Sequence, residues 1–409
     1  MKNARHEIGA RFCISIPDTS SFAVALNSLL MRKYIVAIGV VSLLAVGLLT
    51  LKNRFLGPVP LAKLPYDTLS PDAKWPLNGA KTTVLRRGVT HTFSQAPDGT
   101  QIDFIDFDFG QNPRLRFEIF DQDEDDAKPF DNKVNYWNRN VARVTKELNA
   151  SGRGPVVAAW NGAFFGYDNS TGKEDAFHVS PVVLRGKSYF GGANHRWAWG
   201  VKQSASGPQW KTFWKPSRAT LEREFDYAAG SVQCLILNGK PLKVEPFPPV
   251  GGSFKKQPVS SSPLEAGHIP YFDHMRTCRA SVGWSRDNHH LYLLTVKEPD
   301  DESSSSLALS WAVRGGSIPG GASLGGGWTV PDVQQFWKSK GVWGAVNSDA
   351  GGVLQLVFRH PKGNHTFVTP RQETGGMRRN VAPNWNGAIE GGGAIMYFFV
   401  RELSSQNRK

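Results

Sequence analysis

The sequence predicts a mixed α/β fold: one large domain with a mostly buried mixed sheet, behind an N-terminal transmembrane anchor. Three observations carry that expectation. The stretch Val342–Gly352 runs from apolar and small residues into Asn347, Ser348 and Asp349, then into a small-residue turn. Val156–Gly166 has the same shape and ends its apolar run at Asn161. Each run follows a helix-like pattern, and a short apolar run bounded by a turn suits a buried central strand. The layout of helix, buried strand and Asn-bearing turn thus occurs twice. If both strands share a sheet, both turns sit at the edge where open α/β sheets hold their ligands.

The elements follow in order. Residues 1–33 are expected as a cytoplasmic tail, with residues 1–30 either disordered or untranslated, because Met31-Arg32-Lys33 already supplies the basic start of an export signal. Tyr34–Leu51 is uncharged and apolar over about 18 residues, the lower limit for a membrane span. Arg32 and Lys33 ahead of it keep the N-terminus cytoplasmic and the remainder periplasmic or extracellular. Residues 52–80 are rich in Pro and read as an extended linker. The catalytic domain covers 81–402, and 403–409 is a tail.

Within that domain Thr90–Phe109 alternates around Asp98-Gly99, a hairpin signal. Asp103, Asp106 and Asp108 are expected in solvent. Asp121–Asp126 begins like a calcium loop, but Asp126 stands where Gly is needed and Asn132 where Glu is needed. A solvated acidic loop is therefore expected. Val134, Trp137, Val141, Val144 and Leu148 recur at helical spacing, with Asn149 and Gly152 as stop signals. Val182–Leu184 with Arg185-Gly186, and Cys234–Leu237 with Asn238-Gly239, read as hairpins. Leu291–Val296 is a strand, and Gly315–Gly327 a Gly-rich loop beside the site. Thr329 caps a helix with Asp332 three residues on; Pro331 fits its first turn and Gly341 its end.

The chain has 409 residues, 40% hydrophobic content and 13 Trp, enough for a sizeable core. Its formal net charge is +13. The basic residues are scattered, and no zinc-finger, RRM or KH signature is present, so nucleic acid is not the expected partner. A phosphorylated or acidic glycan is, together with the membrane through residues 34–51. Cysteine, histidine and carboxylate spacings give no zinc site, and no cofactor or metal is expected. Cys234 and Cys278 can pair or remain core thiols.

Four stretches, in order, carry a resemblance. Asn161-Gly162-Ala163-Phe164-Phe165, Arg279-Ala280-Ser281-Val282-Gly283, Gly327-Trp328-Thr329-Val330 and Asn347–Val353, with the late Arg379, resemble the motifs of the phosphodiester glycosidase family. Ala350 replaces a Gly of that pattern and Val353 replaces a Ser. The resemblance implies a glycoside hydrolase cleaving a sugar-1-phosphodiester or related surface-glycan linkage. It implies Asp349, Asn347, Asn161 and Arg279 as catalytic residues. Gly162, Phe165, Thr329, Gly351, Gly352, Arg379 and His178 are the expected substrate-binding set.

The chemistry fits those types. Asp349 offers the carboxyl group for proton transfer or nucleophilic attack, and guanidinium groups suit phosphate. Arg279 can equally make a structural ion pair. Asn161 and Asn347 can bind sugar hydroxyls or orient water. A second carboxyl group is usual in a glycosidase, and Glu174, Asp175 and Glu390 are the candidates. Trp160, Trp284 and Trp328 are expected in the core. Two other readings stay open: a non-catalytic glycan-binding or assembly protein on the same fold, favoured by Val353, and a metal-assisted phosphodiesterase with Asp349 as ligand.

Overall fold

Antiparallel pairing governs this molecule. The computed structural model describes residues 72–97, 99–135, 138–168, 175–190, 197–244, 277–297, 327–350, 354–368 and 394–404. These residues all belong to one compact unit, Leu64–Lys409. In chain order the first elements are strands β1 (Lys81–Arg86), β2 (Val89–Gln95), β3 (Gln101–Asp108), β4 (Leu115–Asp121) and β5 (Val134–Asn135). Helix α1 (Val141–Ala150) precedes β6 (Val156–Asn161), β7 (Gly166–Asp168) and β8 (Asp175–Phe177). Then come β9 (Val182–Leu184), β10 (Lys187–Tyr189), β11 (Trp197–Ser204), β12 (Gly207–Trp214), α2 (Arg218–Glu224), β13 (Tyr227–Leu237) and β14 (Lys240–Pro241). The last are β15 (Arg279–Trp284), β16 (His290–Lys297), α3 (Val330–Lys340), β17 (Gly344–Ala350), β18 (Leu356–Arg359), β19 (His365–Val368) and β20 (Met396–Glu402).

A 12-stranded sheet follows the path β1-β2-β3-β16-β15-β17-β13-β11-β12, with β9, β10 and β14 attached around β13. A 5-stranded sheet runs β19-β18-β6-β20-β4, and a 3-stranded one β5-β8-β7. The two larger sheets pack face to face. Phe117 of β4 and Phe398 of β20 lie 5.4 and 5.5 Å from the ring of Trp199 on β11. Trp160 of β6 lies 6.4 Å from Phe107 of β3. Helix α1 covers the outer face of the small sheet, and α3 covers the large one. Along β20, Phe398 and Val400 join the core between the sheets, while Tyr397 and Phe399 pack with Val141 and Val144 of α1. On β15, Gly283 meets the Trp337 ring of α3 while Trp284 stacks on Trp199. The period of two therefore survives, with both faces apolar.

The mixed α/β expectation is corrected: the fold is a β-rich sandwich. The apolar run of β6 suits the expected buried central strand of a helix-covered α/β sheet. Its faces are instead covered by the partner sheet and by α1, which gives the same continuous apolar pattern. Moreover β6 lies between β18 and β20, and β17 between β15 and β13, so the two Asn-bearing strands belong to different sheets. The helix expected from Val134 begins only at Val141, capped by Asn140, and Val134 lies in β5.

The membrane expectation is also corrected. No helix among the described residues is long and apolar enough to cross a membrane, and Tyr34–Leu51 lies outside the described residues. The hairpins at β2–β3, β9–β10 and β13–β14 form as read. Helix α3 carries the reciprocal Thr329–Asp332 cap, and Gly341 closes it at φ 73°. Cys234 and Cys278 are buried and no disulfide joins them.

Candidate functional site

The small sheet delivers Asn161 at the end of β6, opposite Tyr397 of β20. Its side-chain Oδ1 accepts the main-chain N–H of Gln355, and the Gln355 Oε1 accepts the N–H of Val141 at 2.8 Å. Asn161 is thus tied to the N-terminus of α1. The next residue donates its N–H to Met396 O at 2.8 Å. A Cβ on Gly162 would meet that same oxygen at 2.9 Å, so only glycine passes here. The chain then leaves the small sheet, and Phe164 N–H donates to Ser231 O of β13 at 3.2 Å.

That acceptor sits on a bulge. The β11–β13 register shifts between Trp197↔Val232 and Trp199↔Ala229, and Ser231 takes φ 53°, a left-handed conformation uncommon for serine. The bulge brings Gly230 against Ser180, whose Cβ would lie 2.5 Å from a Cβ added there. The hydroxyls of Ser231 and Ser180 are buried and, among the described residues, have no hydrogen-bond partner. Two residues along β13, Gln233 faces Asn347 of β17, and Asn347 Nδ2 donates to Gln233 Oε1 at 2.8 Å. Asn347 is fully buried, and its Oδ1 has no partner among the described residues. Leaving such a group unmade costs about 1–3 kcal/mol. Three of them around one bulge mark a place suited to hydroxyl-bearing ligands, since Ser donates and accepts and the Asn oxygen accepts.

On the other side of β17, Ser281 faces Asn347, Ala280 faces Asp349 and Arg279 faces Ala350. Arg279 is fully buried, and its Nε donates to Trp328 O at 3.0 Å. Trp328 bridges Thr277 and directly precedes the cap Thr329. The pairings therefore gather the Asn161 turn, Asn347, the backbone of Asp349 and Arg279 around β13, β15 and β17. Of the expected binding residues, Gly162 lies in this turn and Phe165 is half-buried against the core. Thr329 is occupied in capping α3. Gly351, Gly352 and Arg379 lie outside the described residues, as do Glu174 and Glu390. Trp160, Trp284 and Trp328 are core residues.

His178 follows β8 and is buried, stacked on Phe190 at 4.4 Å. Its Nε2 lies 3.0 Å from an Asp121 carboxylate oxygen. Asp121 ends β4 opposite Met396, the residue that accepts the Gly162 N–H. The acidic stretch was expected in solvent, yet Asp121 and Asp123 have no exposed surface. Asp103 is buried too, 2.8 Å from His91 Nε2. Asp121 ends β4, Asp123 lies in the short turn just after it and Asp103 lies within β3, so packing of distant segments, which local composition does not report, buries each of them.

Sequence reasoning missed Ser180, Ser231, Gln233, Gln355 and Asp121. One signal was present: β13 interrupts an apolar run with Gly230-Ser231 and Gln233, and a lone Gly in a strand points to a bulge.

No protein-family model matches the chain, and no curated protein sequence does. Solved structures give distant likenesses in fold. The zebrafish N-acetylglucosamine-1-phosphodiester α-N-acetylglucosaminidase catalytic domain, auto-inhibited by its pro-peptide, is 14% identical with a TM-score of 0.45. That match covers 79% of this chain and 88% of the other. A hypothetical protein from Synechocystis is 11% identical, with a TM-score of 0.42 over 78% of this chain and 63% of that one. A protein from Burkholderia pseudomallei described as exported is 12% identical, with a TM-score of 0.40 over 76% of each chain.

Proposed function

We propose that the chain is a hydrolase that cleaves a glycosidic bond to a phosphodiester or a related acidic glycan. The observation that carries the reading is the junction itself: the Phe164–Ser231 hydrogen bond joins the Asn161 turn to the strand that pairs with Asn347. In this reading Asp349 moves the proton or attacks the sugar carbon. Asn161 and Asn347 orient sugar hydroxyls or water, and Arg279 with Arg379 offsets phosphate charge. The Ser180 and Ser231 hydroxyls at the β13 bulge, without a hydrogen-bond partner among the described residues, supply further sugar contacts. Val353, where the resembled motif has Ser, favours the second reading, a glycan-binding protein without turnover.

The test is release of sugar from a sugar-1-phosphodiester by the full chain and by Asp349→Asn, with and without chelator. Loss of at least about a thousandfold in kcat for the variant fits the role, given what general acid–base and covalent catalysis contribute. Equal rates for the two proteins overturn it. Glycan binding without release by the wild type supports the second reading.

A further inference from the structure

We propose that the loop between β4 and β5 holds a hard divalent cation of the calcium class between the carboxylates of Asp123, Asp126 and Asp131. One carboxylate oxygen from each lies within 4.8 Å of the others. Oxygens bound to one calcium ion at about 2.4 Å can be no further apart than about 4.8 Å, so the three fit a single coordination sphere.

The second observation concerns how the loop's charges are balanced. Asp121 is paired with His178, Glu124 with Arg185, and Asp125 with Arg139 at 2.9 Å. No such ion pair reaches Asp123, Asp126 or Asp131 among the described residues. Among the described acids of this loop, the three that converge are the three outside any direct ion pair. Asp123 is the sharpest case. It has no exposed surface, and its Oδ1 has no hydrogen-bond donor among the described residues. A buried carboxylate oxygen left that way is costly unless a cation or donor meets it. Its other oxygen accepts Asn132 N–H at 2.9 Å, which fixes the carboxylate's orientation. Main-chain N–H groups of Lys128 and Lys133 hold Asp126 and Asp131 in the same way, at 2.7 and 3.0 Å.

An all-oxygen set excludes the nitrogen and sulfur preference of zinc. Asp126 is half-buried and Asp131 exposed, which leaves room for the waters that complete six to eight ligands. Bound there, the cation fastens the loop against His178, because Asn132 and His178 exchange hydrogen bonds of 2.6 and 3.4 Å.

The experiment uses the full chain, stripped with EDTA and then titrated with calcium chloride alone by calorimetry, with melting followed in parallel. One saturable site and a melting temperature raised by several degrees are expected. Both effects are lost in Asp123→Asn and weakened at least tenfold in Asp131→Asn. Absence of saturable binding, or wild-type binding by Asp131→Asn, overturns the proposal; that side chain is exposed, so folding survives its loss. Tighter binding of magnesium than of calcium overturns the calcium assignment. No step reads turnover, so the outcome is independent of the hydrolase reading.

Discussion

Asn347 shows how one buried amide can serve both fold and site. Its Nδ2 donates to Gln233 Oε1, while its Oδ1 has no partner among the described residues. Asn347→Ala removes the Nδ2 donor from the buried Gln233 Oε1, a loss of about 1–3 kcal/mol. Urea unfolding checks it, and Gln233→Leu added to Asn347→Ala is expected to recover part of the loss because both polar partners are then gone. His365 makes a separate residue-scale prediction. Burial, with Arg359 and Arg86 adding repulsion, pushes its imidazole down to about 4. The unfolded chain takes up that proton near pH 6.5, and the folded chain does so only near 4. Stability is therefore full above about 6.5 and falls as pH drops toward 4. His365→Gln, measured by unfolding at pH 7 and pH 5, is expected to lose less stability across that interval than the wild type.

At the scale of elements, α3 and the β13 bulge are the informative ones. The α3 cap satisfies two end donors at once, Asp332 N–H at 3.2 Å and Thr329 N–H at 3.0 Å. Thr329→Ala is expected to cost about 0.5–2 kcal/mol and Thr329→Ser much less, read from thermal melting. Ser231 holds a left-handed backbone that glycine adopts without strain. Ser231→Gly is therefore expected to leave stability unchanged or raised while weakening glycan binding, and unchanged binding would remove the hydroxyl from the site.

For the whole molecule the decisive interface is the one between sheets. Trp160 has no exposed surface and lies within 6.4 Å of Phe107, Phe117 and Phe398. Trp160→Ala opens a cavity at the centre of that layer and is expected to cost about 3–5 kcal/mol, measured by chemical denaturation. Because β6 carries Asn161 one residue later, the same change is expected to loosen the Asn161 turn and lower activity beyond the loss of folded protein.

By itself the sequence determined the local chemistry. Thr329, Asp332, Pro331 and Gly341 specify a helix because a capping box and a left-handed C-terminal residue act within a few positions. Asn-Gly and Asp-Gly pairs specify hairpins for the same reason. The apolar runs ending in Asn161 and Asn347 were legible as buried strands, and the Asn residues as their polar ends. Only the tertiary structure decided which strands pair. An apolar run is alike whether its second face meets a helix or another sheet, so a sandwich reads as a doubly covered α/β sheet. The same limit hid Asp121, Ser180 and Ser231. Their burial follows from long-range packing of β4 beside β20 and of the Asn161 turn on β13, contacts between residues far apart in the chain that no local pattern encodes.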